Sequence, residues 1–403
     1  MNPYLIFILT VLLSGYLLNL LVSFLEVRSL RPELPEEFSD LYDEEKYRRS
    51  QEYTKRISRF SEVQDTVTVL VTLIFILVGG FNKIDLLARS VGLGSINTGL
   101  LFTGALLLLS SIMSLPFSIY STFVIEEQFG FNKTTPKTFI LDALKGILLT
   151  IVIGGPLLAA ILWFFEITNG MAWLYCWMAV VAFTFILQFL APVLIMPLFN
   201  KFIPLEDGEL KQSITSYADK QHFSMKGIYT MDGSKRSTRL NAFFVGFGRF
   251  RRIVFFDTLV EKLNPNEIVA VLAHEMGHFQ HKHIVKMMGI SILQMGIMFY
   301  ILSLFLGNKQ LFAAFGMEQV SIYASLIFFG FLYAPVSMLL SIFFNIYSRK
   351  NEYQADAWAV TTTAGKGQEL INGLKKLSVH NLSNLTPHPF NVFINYSHPT
   401  HQT

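Results

Sequence analysis

The sequence predicts an all-α membrane protein of about seven transmembrane helices that carries a smaller α+β soluble part, and three observations predict it. The 403 residues are 52% apolar and only 15% charged, too oily for an ordinary water-soluble chain. The apolar residues fall in blocks of the length a helix needs, about 20 residues, to cross roughly 30 Å of hydrocarbon. Three stretches, 26–62, 199–283 and 347–403, are polar enough to stand in water.

The blocks lie near 4–25, 65–82, 99–125, 146–166, 172–198, 284–306 and 321–346. No Lys or Arg precedes Arg28, so the first block lacks the charged start of a cleaved signal and is expected to stay as a membrane helix. Pro116, Pro156, Pro192, Pro197 and Pro335 fall in or near the blocks. A membrane bundle can re-satisfy the backbone groups that proline frees, so kinked spans are expected. Arg28 and Arg31 follow the first block, which puts the N-terminus outside and the 26–62 loop, charged in both signs and predicted helical, in the cytosol. Counting crossings then places 126–145, 199–283 and the C-terminal region on that same side. The organisation expected is membrane helices one to five in 1–198, a first soluble part in 199–283, two further spans in 284–346 and a second soluble part in 347–403. The soluble parts read as one domain split by a two-helix membrane excursion.

Some functions are excluded at this point. A net charge of +3, spread without a Lys/Arg-rich face, argues against nucleic acid as a partner. The lone cysteine, Cys176, sits inside a predicted span and rules out a disulfide within the chain or a CxxC metal site.

Within 199–283, RLNAFFVGF, a Gly248–Arg249 turn and RRIVFFDTLV read as a β-hairpin of aromatic and branched residues. Asn264 then looks like a helix cap with Pro265 at the first helical position. That helix carries HEMGH at 274–278. Spacing of four puts His274 and His278 on one face, where two imidazoles can share a zinc ion. Glu275 flanks them, placed to take a proton from an attacking water. Gly277 leaves room for another element to approach. The bland reading of so short a motif is two histidines at an exposed helix end beside a solvated glutamate.

A catalytic zinc takes three protein ligands and keeps a position open. The longer HExxHxxGxxH pattern fails, because position 281 is His and 284 is Ile. His281 lies about 10 Å along the axis from His274, and with His283 it reads as a polar residue at the membrane boundary. The best third ligand is Glu352 in SRKNEYQADAWA, which continues the last span as a helix. Asp356, one turn on, could accept the second ring N–H of a ligand histidine. The bland reading is two solvated carboxylates at a helix end. An even number of crossings separates His278 from Glu352 and returns the chain to the same face, which favours a site of His274, His278 and Glu352 on one Zn2+. Arg349 reads as a snorkelling anchor outside the site. The residues thus point to an integral-membrane zinc metallopeptidase.

Taken with EEQFGFNKTTPKTF at 126–139, NAFFVGF at 241–247 and YSHPT at 396–400, HEMGH and SRKNEYQAD make the chain resemble the type I CAAX prenyl endopeptidase family, the a-factor-converting metalloproteases. The resemblance implies a gluzincin-like domain capped over seven helices that ring a water-filled chamber. It implies His274, His278 and Glu352 on zinc, Glu275 as base, Asp356 behind a ligand histidine, and His398 as donor to the tetrahedral oxyanion. On its own, His398 would read as a surface histidine in a Pro-rich tail. Asn241, Ala242 and Phe243 match the family's substrate-binding edge strand. The implied reaction removes the last three residues after a prenylated cysteine, some members making a second, upstream cut. The partners expected are the lipid bilayer and a prenylated or membrane-associated polypeptide, with the protein a monomer. Short loops point to a bacterial member in the inner membrane, or the endoplasmic reticulum if eukaryotic, with the site open to the cytosol. The sequence lacks the arginine-bearing segment that follows the terminal histidine in the family. Two other readings stand beside this one: a quality-control zinc protease of membrane proteins, and a seven-span transporter or receptor with a relict motif.

Overall fold

The structure, a computed structural model, describes residues 2–40, 42–168, 170–246, 251–363 and 367–400. The chain enters as α1 (Pro3–Ser29) and α2 (Glu44–Leu77), which pack side by side. A short α3 (Gly80–Ser90) leads to α4 (Ser95–Tyr120), which ends in a π-helical turn, Ser121–Glu126. Next, α5 (Pro136–Leu149) runs through a second π turn, Thr150–Gly154, into α6 (Gly155–Ile167). A third π turn, Ala191–Ile195, joins α7 (Ala172–Leu190) to α8 (Met196–Phe199). The soluble part follows as β1 (Phe202–Pro204), α9 (Glu209–Lys220), β2 (Gly227–Met231), β3 (Ala242–Val245), β4 (Arg252–Phe256), α10 (Asp257–Lys262) and α11 (Pro265–Gln280). The chain then crosses again as α12 (His283–Phe305), α13 (Lys309–Ala314) and α14 (Ile322–Thr362), and closes with α15 (Gly367–His380) and α16 (Pro389–Asn395).

Among the described residues, seven helical stretches are long and apolar enough to cross a membrane. Most of the helices run longer than the hydropathy blocks; the sixth keeps its length, and the second ends at Leu77, before its block does. Residues 44–62 are not a separate soluble piece but the first turns of α2, started by the Asp43 side chain accepting from the Lys46 N–H at 2.6 Å. Hydropathy marks only the part of a helix that lies in lipid, and the Glu, Lys, Arg and Gln of this stretch are good helix formers. The same holds for 136–145, which Thr135 caps and Pro136 opens. Proline acts as expected. Pro156 follows one π turn and Pro192 lies within another, where the missing N–H and the displaced upstream carbonyl widen the helix.

At most 11% of each apolar window is buried within the protein, so the spans meet along narrow seams instead of packing as a solid bundle. Contacts run α1 to α2, α6 to α7, α7 to α12, and α14 to both α12 and α1. The end remote from the soluble part is filled by aromatic rings from α3, α4, α14 and the turn after α13, with Phe315 stacked on Phe328 at 3.8 Å.

The soluble part is built on a four-stranded sheet of order β1-β2-β4-β3. The hairpin expected from sequence is present as β3 antiparallel to β4, with Ala242 opposite Phe255 and Val245 opposite Arg252. Its Gly248–Arg249 turn lies outside the described residues. β4 pairs in parallel with β2 on its other side, which leaves β3 at the edge. Ile214, Ile253, Phe255 and Leu272 share one core with Ala359 and Leu370, from beyond the last span. The two polar segments therefore fold as one unit across the membrane excursion.

Candidate metal centre

The site starts from the cap of α11. Asn264 accepts from the Glu267 N–H, and the Glu267 carboxylate accepts in return from the Asn264 N–H, both at 2.9 Å. Glu267 is 1% exposed and pairs with Lys376 at 2.7 Å, so the helix is fixed at its start. Ile268, Val271 and Leu272 bury its apolar face, which turns His274 and His278 together toward α14.

At Gly277 the two helices touch: a Cβ there would lie 2.8 Å from Ala355 Cα and 2.9 Å from its carbonyl oxygen. This close approach brings Glu352, one turn before Ala355, against the histidines. Glu352 Oε2 is 3.3 Å from His274 Nε2 and 3.4 Å from His278 Nε2, and the two ring nitrogens are 3.2 Å apart. Zinc bonds of roughly 2.0–2.1 Å in tetrahedral geometry set ligand atoms about 3.3 Å apart. The donor triangle fits one such ion.

Asp356 accepts from the other side of the His274 ring, Oδ1 to Nδ1 at 2.7 Å. Burial opposes charge on His274, but Asp356 and Glu352 outweigh it and raise its pKa to about 10. A metal entering the site has that proton to displace. Glu275 lies on the open side and lines, with His278, Phe243, Phe244 and Phe279, a cavity of about 520 Å³. Burial raises the Glu275 carboxyl above the ordinary range, against the pull of His274 and His278. A carboxylate shifted upward is a stronger base than an ordinary one, as a general base requires. His398 Nε2 sits 3.6 Å from Glu352 Oε1 on a largely exposed ring. Ala242 and Phe243 begin the edge strand, Asn241 comes just before it, and Phe243 lines the same cavity.

The structure adds to one sequence reading and corrects another. His283 opens the sixth candidate span, at the boundary the sequence expects, and it is also drawn into the site: it is 3% exposed, with its Nδ1 3.1 Å from His278 Nδ1. His281 stacks on His283 and meets Trp358 edge-on. Arg349 does not snorkel; it donates to the backbone carbonyls of Val392, at 3.0 Å, and Tyr396, and so holds the segment that leads to His398. Glu26 of the first span fastens the same segment upstream, accepting from Asn384 Nδ2 at 2.6 Å and His388 N at 2.9 Å.

The EEQFGFNKTTPKTF stretch also gains a physical meaning. Glu126 accepts from Arg239 at 3.1 Å and from Tyr53 at 2.5 Å, while Arg236 grips Asp142 of α5 through two bonds of 2.8 and 3.0 Å. The Lys133 N–H donates to the Arg236 carbonyl at 3.0 Å. The peptide that enters β3 is thereby tied to the spans. No spacing rule links partners so far apart in sequence.

Among known proteins, a family model described as CAAX prenyl protease N-terminal, five membrane helices, matches residues 23–201, and one for peptidase family M48 matches 204–403. A protein of Oryza sativa subsp. japonica named CAAX prenyl protease 1 homolog is 37% identical over 408 aligned positions, covering 98% of this chain and 95% of that protein. CAAX prenyl protease 1 of Saccharomyces cerevisiae is 37% identical, covering 91% of this chain and 86% of that protein. The crystal structure of S. mikatae Ste24p superposes with a TM-score of 0.93 at 34% identity and covers all of this chain and 98% of that one.

Proposed function

We propose that this chain, which belongs to peptidase family M48 and carries the CAAX prenyl protease N-terminal domain, removes the last three residues of prenylated CAAX polypeptides. It is a multi-pass membrane metallopeptidase, and the transporter reading is set aside by that membership. The observation that carries the reading is the donor triangle of His274, His278 and Glu352, with edges of 3.2–3.4 Å, opening on Glu275 and an apolar cavity.

Zinc held by these three residues would supply a Lewis acid and lower the pKa of the attacking water. The substrate backbone adds to the free edge of β3 at Ala242 and Phe243 as an extra strand, which fixes the scissile bond in one orientation. Asn241 stands at the head of that strand, its carbonyl held by the Phe256 N–H at 3.0 Å. Glu275 takes a proton from the water and returns it to the leaving amine. His398 donates to the carbonyl oxygen as its negative charge develops. Asp356 holds the His274 ring in the tautomer that leaves Nε2 bare. The reaction faces the cytosol.

Glu275→Gln is expected to keep one zinc per chain and to lose roughly 10²–10⁴-fold in peptide cleavage, the usual worth of a general base. Undiminished cleavage by this variant rules out the mechanism. Comparing prenylated with unprenylated CAAX peptides on the wild-type enzyme separates CAAX processing from general turnover of membrane proteins, which predicts no preference.

A further inference from the structure

Only two residues, His281 and Lys282, join α11 to α12. Lys282 adopts the left-handed conformation, φ +56°, one that a side chain bearing a Cβ visits rarely. Past this turn the His283 ring lies against His278. Its buried ring meets His278 edge-on, with ring centroids 5.2 Å apart and planes at 75°. Both ring nitrogens are engaged: Nδ1 lies 3.1 Å from His278 Nδ1, and Nε2 lies 2.9 Å from Gln354 Oε1.

These contacts define a direction for the hydrogens. An amide oxygen only accepts, so His283 Nε2 carries the hydrogen of that bond. A neutral imidazole with its hydrogen on Nε2 has a bare Nδ1, which accepts from His278 Nδ1–H. His278 is then left with a bare Nε2, turned toward His274 and Glu352, as a metal ligand requires. We propose that Gln354 and His283 form a relay that sets the tautomer of His278 and so strengthens metal binding at the centre. They are positioning residues. The proposal rests on His278 being a ligand.

The choice of a neutral relay has an electrostatic reason. His274 is oriented by a carboxylate, Asp356, and the site already holds Glu352 and Glu275. A further carboxylate behind His278 would add like charge to a buried cluster, which raises the cost of keeping each one ionised. A histidine backed by an amide orients the ligand without that charge. α14 thus serves the centre from three positions: Glu352 facing the metal, Gln354 behind one ligand histidine and Asp356 behind the other.

The test is the zinc dissociation constant, measured by chelator competition on the full-length purified protein, with the melting temperature of the metal-free protein alongside. His283→Leu and Gln354→Met are each expected to weaken zinc binding by about 10–100-fold, the usual effect of losing such a partner. His283→Asn, which still offers an acceptor, is expected to stay within a few-fold of wild type, as an order-of-magnitude bound on the same scale. Gln354 is only half-buried, so its variant decides the question if His283→Leu does not fold. Wild-type zinc affinity in both His283→Leu and Gln354→Met overturns the relay. So does a fall in metal-free melting temperature with affinity unchanged, which marks a packing role. His278→Ala separates the two levels: loss of zinc there with the relay variants unaffected defeats the relay alone, whereas retained zinc defeats the ligand assignment itself.

Discussion

Two buried acids on facing helices, Glu267 and Glu352, show how partners decide a residue's role. Both are almost fully enclosed, at 1% and 6% exposure. Glu267 closes a capping box and answers Lys376, whereas Glu352 faces two imidazoles. Glu352→Ala is expected to lower zinc occupancy sharply while the fold persists. Glu267→Ala should keep zinc and lose about 1–2 kcal/mol of stability from the broken cap and orphaned Lys376. Zinc content by metal analysis, read against thermal melts of the two variants, checks both, and equal zinc retention points to a different third ligand. The grouping of His274 with His278, and of Glu352 with Asp356, was legible in the sequence because spacings of four match the helical period. His283 was not, since its role depends on a left-handed turn at Lys282, and a lysine gives no sign of one where a glycine would have. Nor was the pairing of Glu126 with Arg239, which only the fold brings together.

Among the elements, the crossing of α11 and α14 is the most sensitive joint, because it sets the distance between the ligands on one helix and the ligand on the other. Gly277 is its contact point, as its small size suggested. Gly277→Ala places a methyl group against the Ala355 backbone, which has no side-chain freedom with which to yield. Overpacking of this kind costs about 1–3 kcal/mol. The expected outcome is a helix displaced by a fraction of an ångström and zinc affinity reduced at least tenfold, measured by the same chelator titration. An alanine variant that binds zinc as the wild type does would show that the joint has slack. The existence of each span could be read from apolar length, but its ends could not. Charged residues that favour helix carry α2 and α14 well past the lipid, and hydropathy is blind to that continuation.

At the scale of the whole molecule, the shared core of the two polar segments explains why an excursion through the membrane does not divide the domain. The number of spans followed from composition alone, and counting crossings put the two polar segments that share this core on one side. The loose seams between the spans did not, because a ring and a packed bundle have the same hydropathy.

The length of α14 has one more consequence. This helix runs unbroken for 41 residues, about 60 Å at 1.5 Å per residue and some twice the hydrocarbon thickness. Glu352 stands six residues beyond Ile346, the end of the apolar block, or about 9 Å along the axis. The helix is therefore a ruler with its zero at the lipid surface. A polypeptide tethered by an acyl chain or by its own helix can offer for cleavage only the bond that reaches that height. Peptides with Gly-Ser spacers inserted between a lipid anchor and the normal cleavage position should be cut at a constant distance from the anchor, as mass spectrometry of the products would show. Cuts that instead travel outward with the sequence motif would mean that recognition reads side chains and takes no measure of depth.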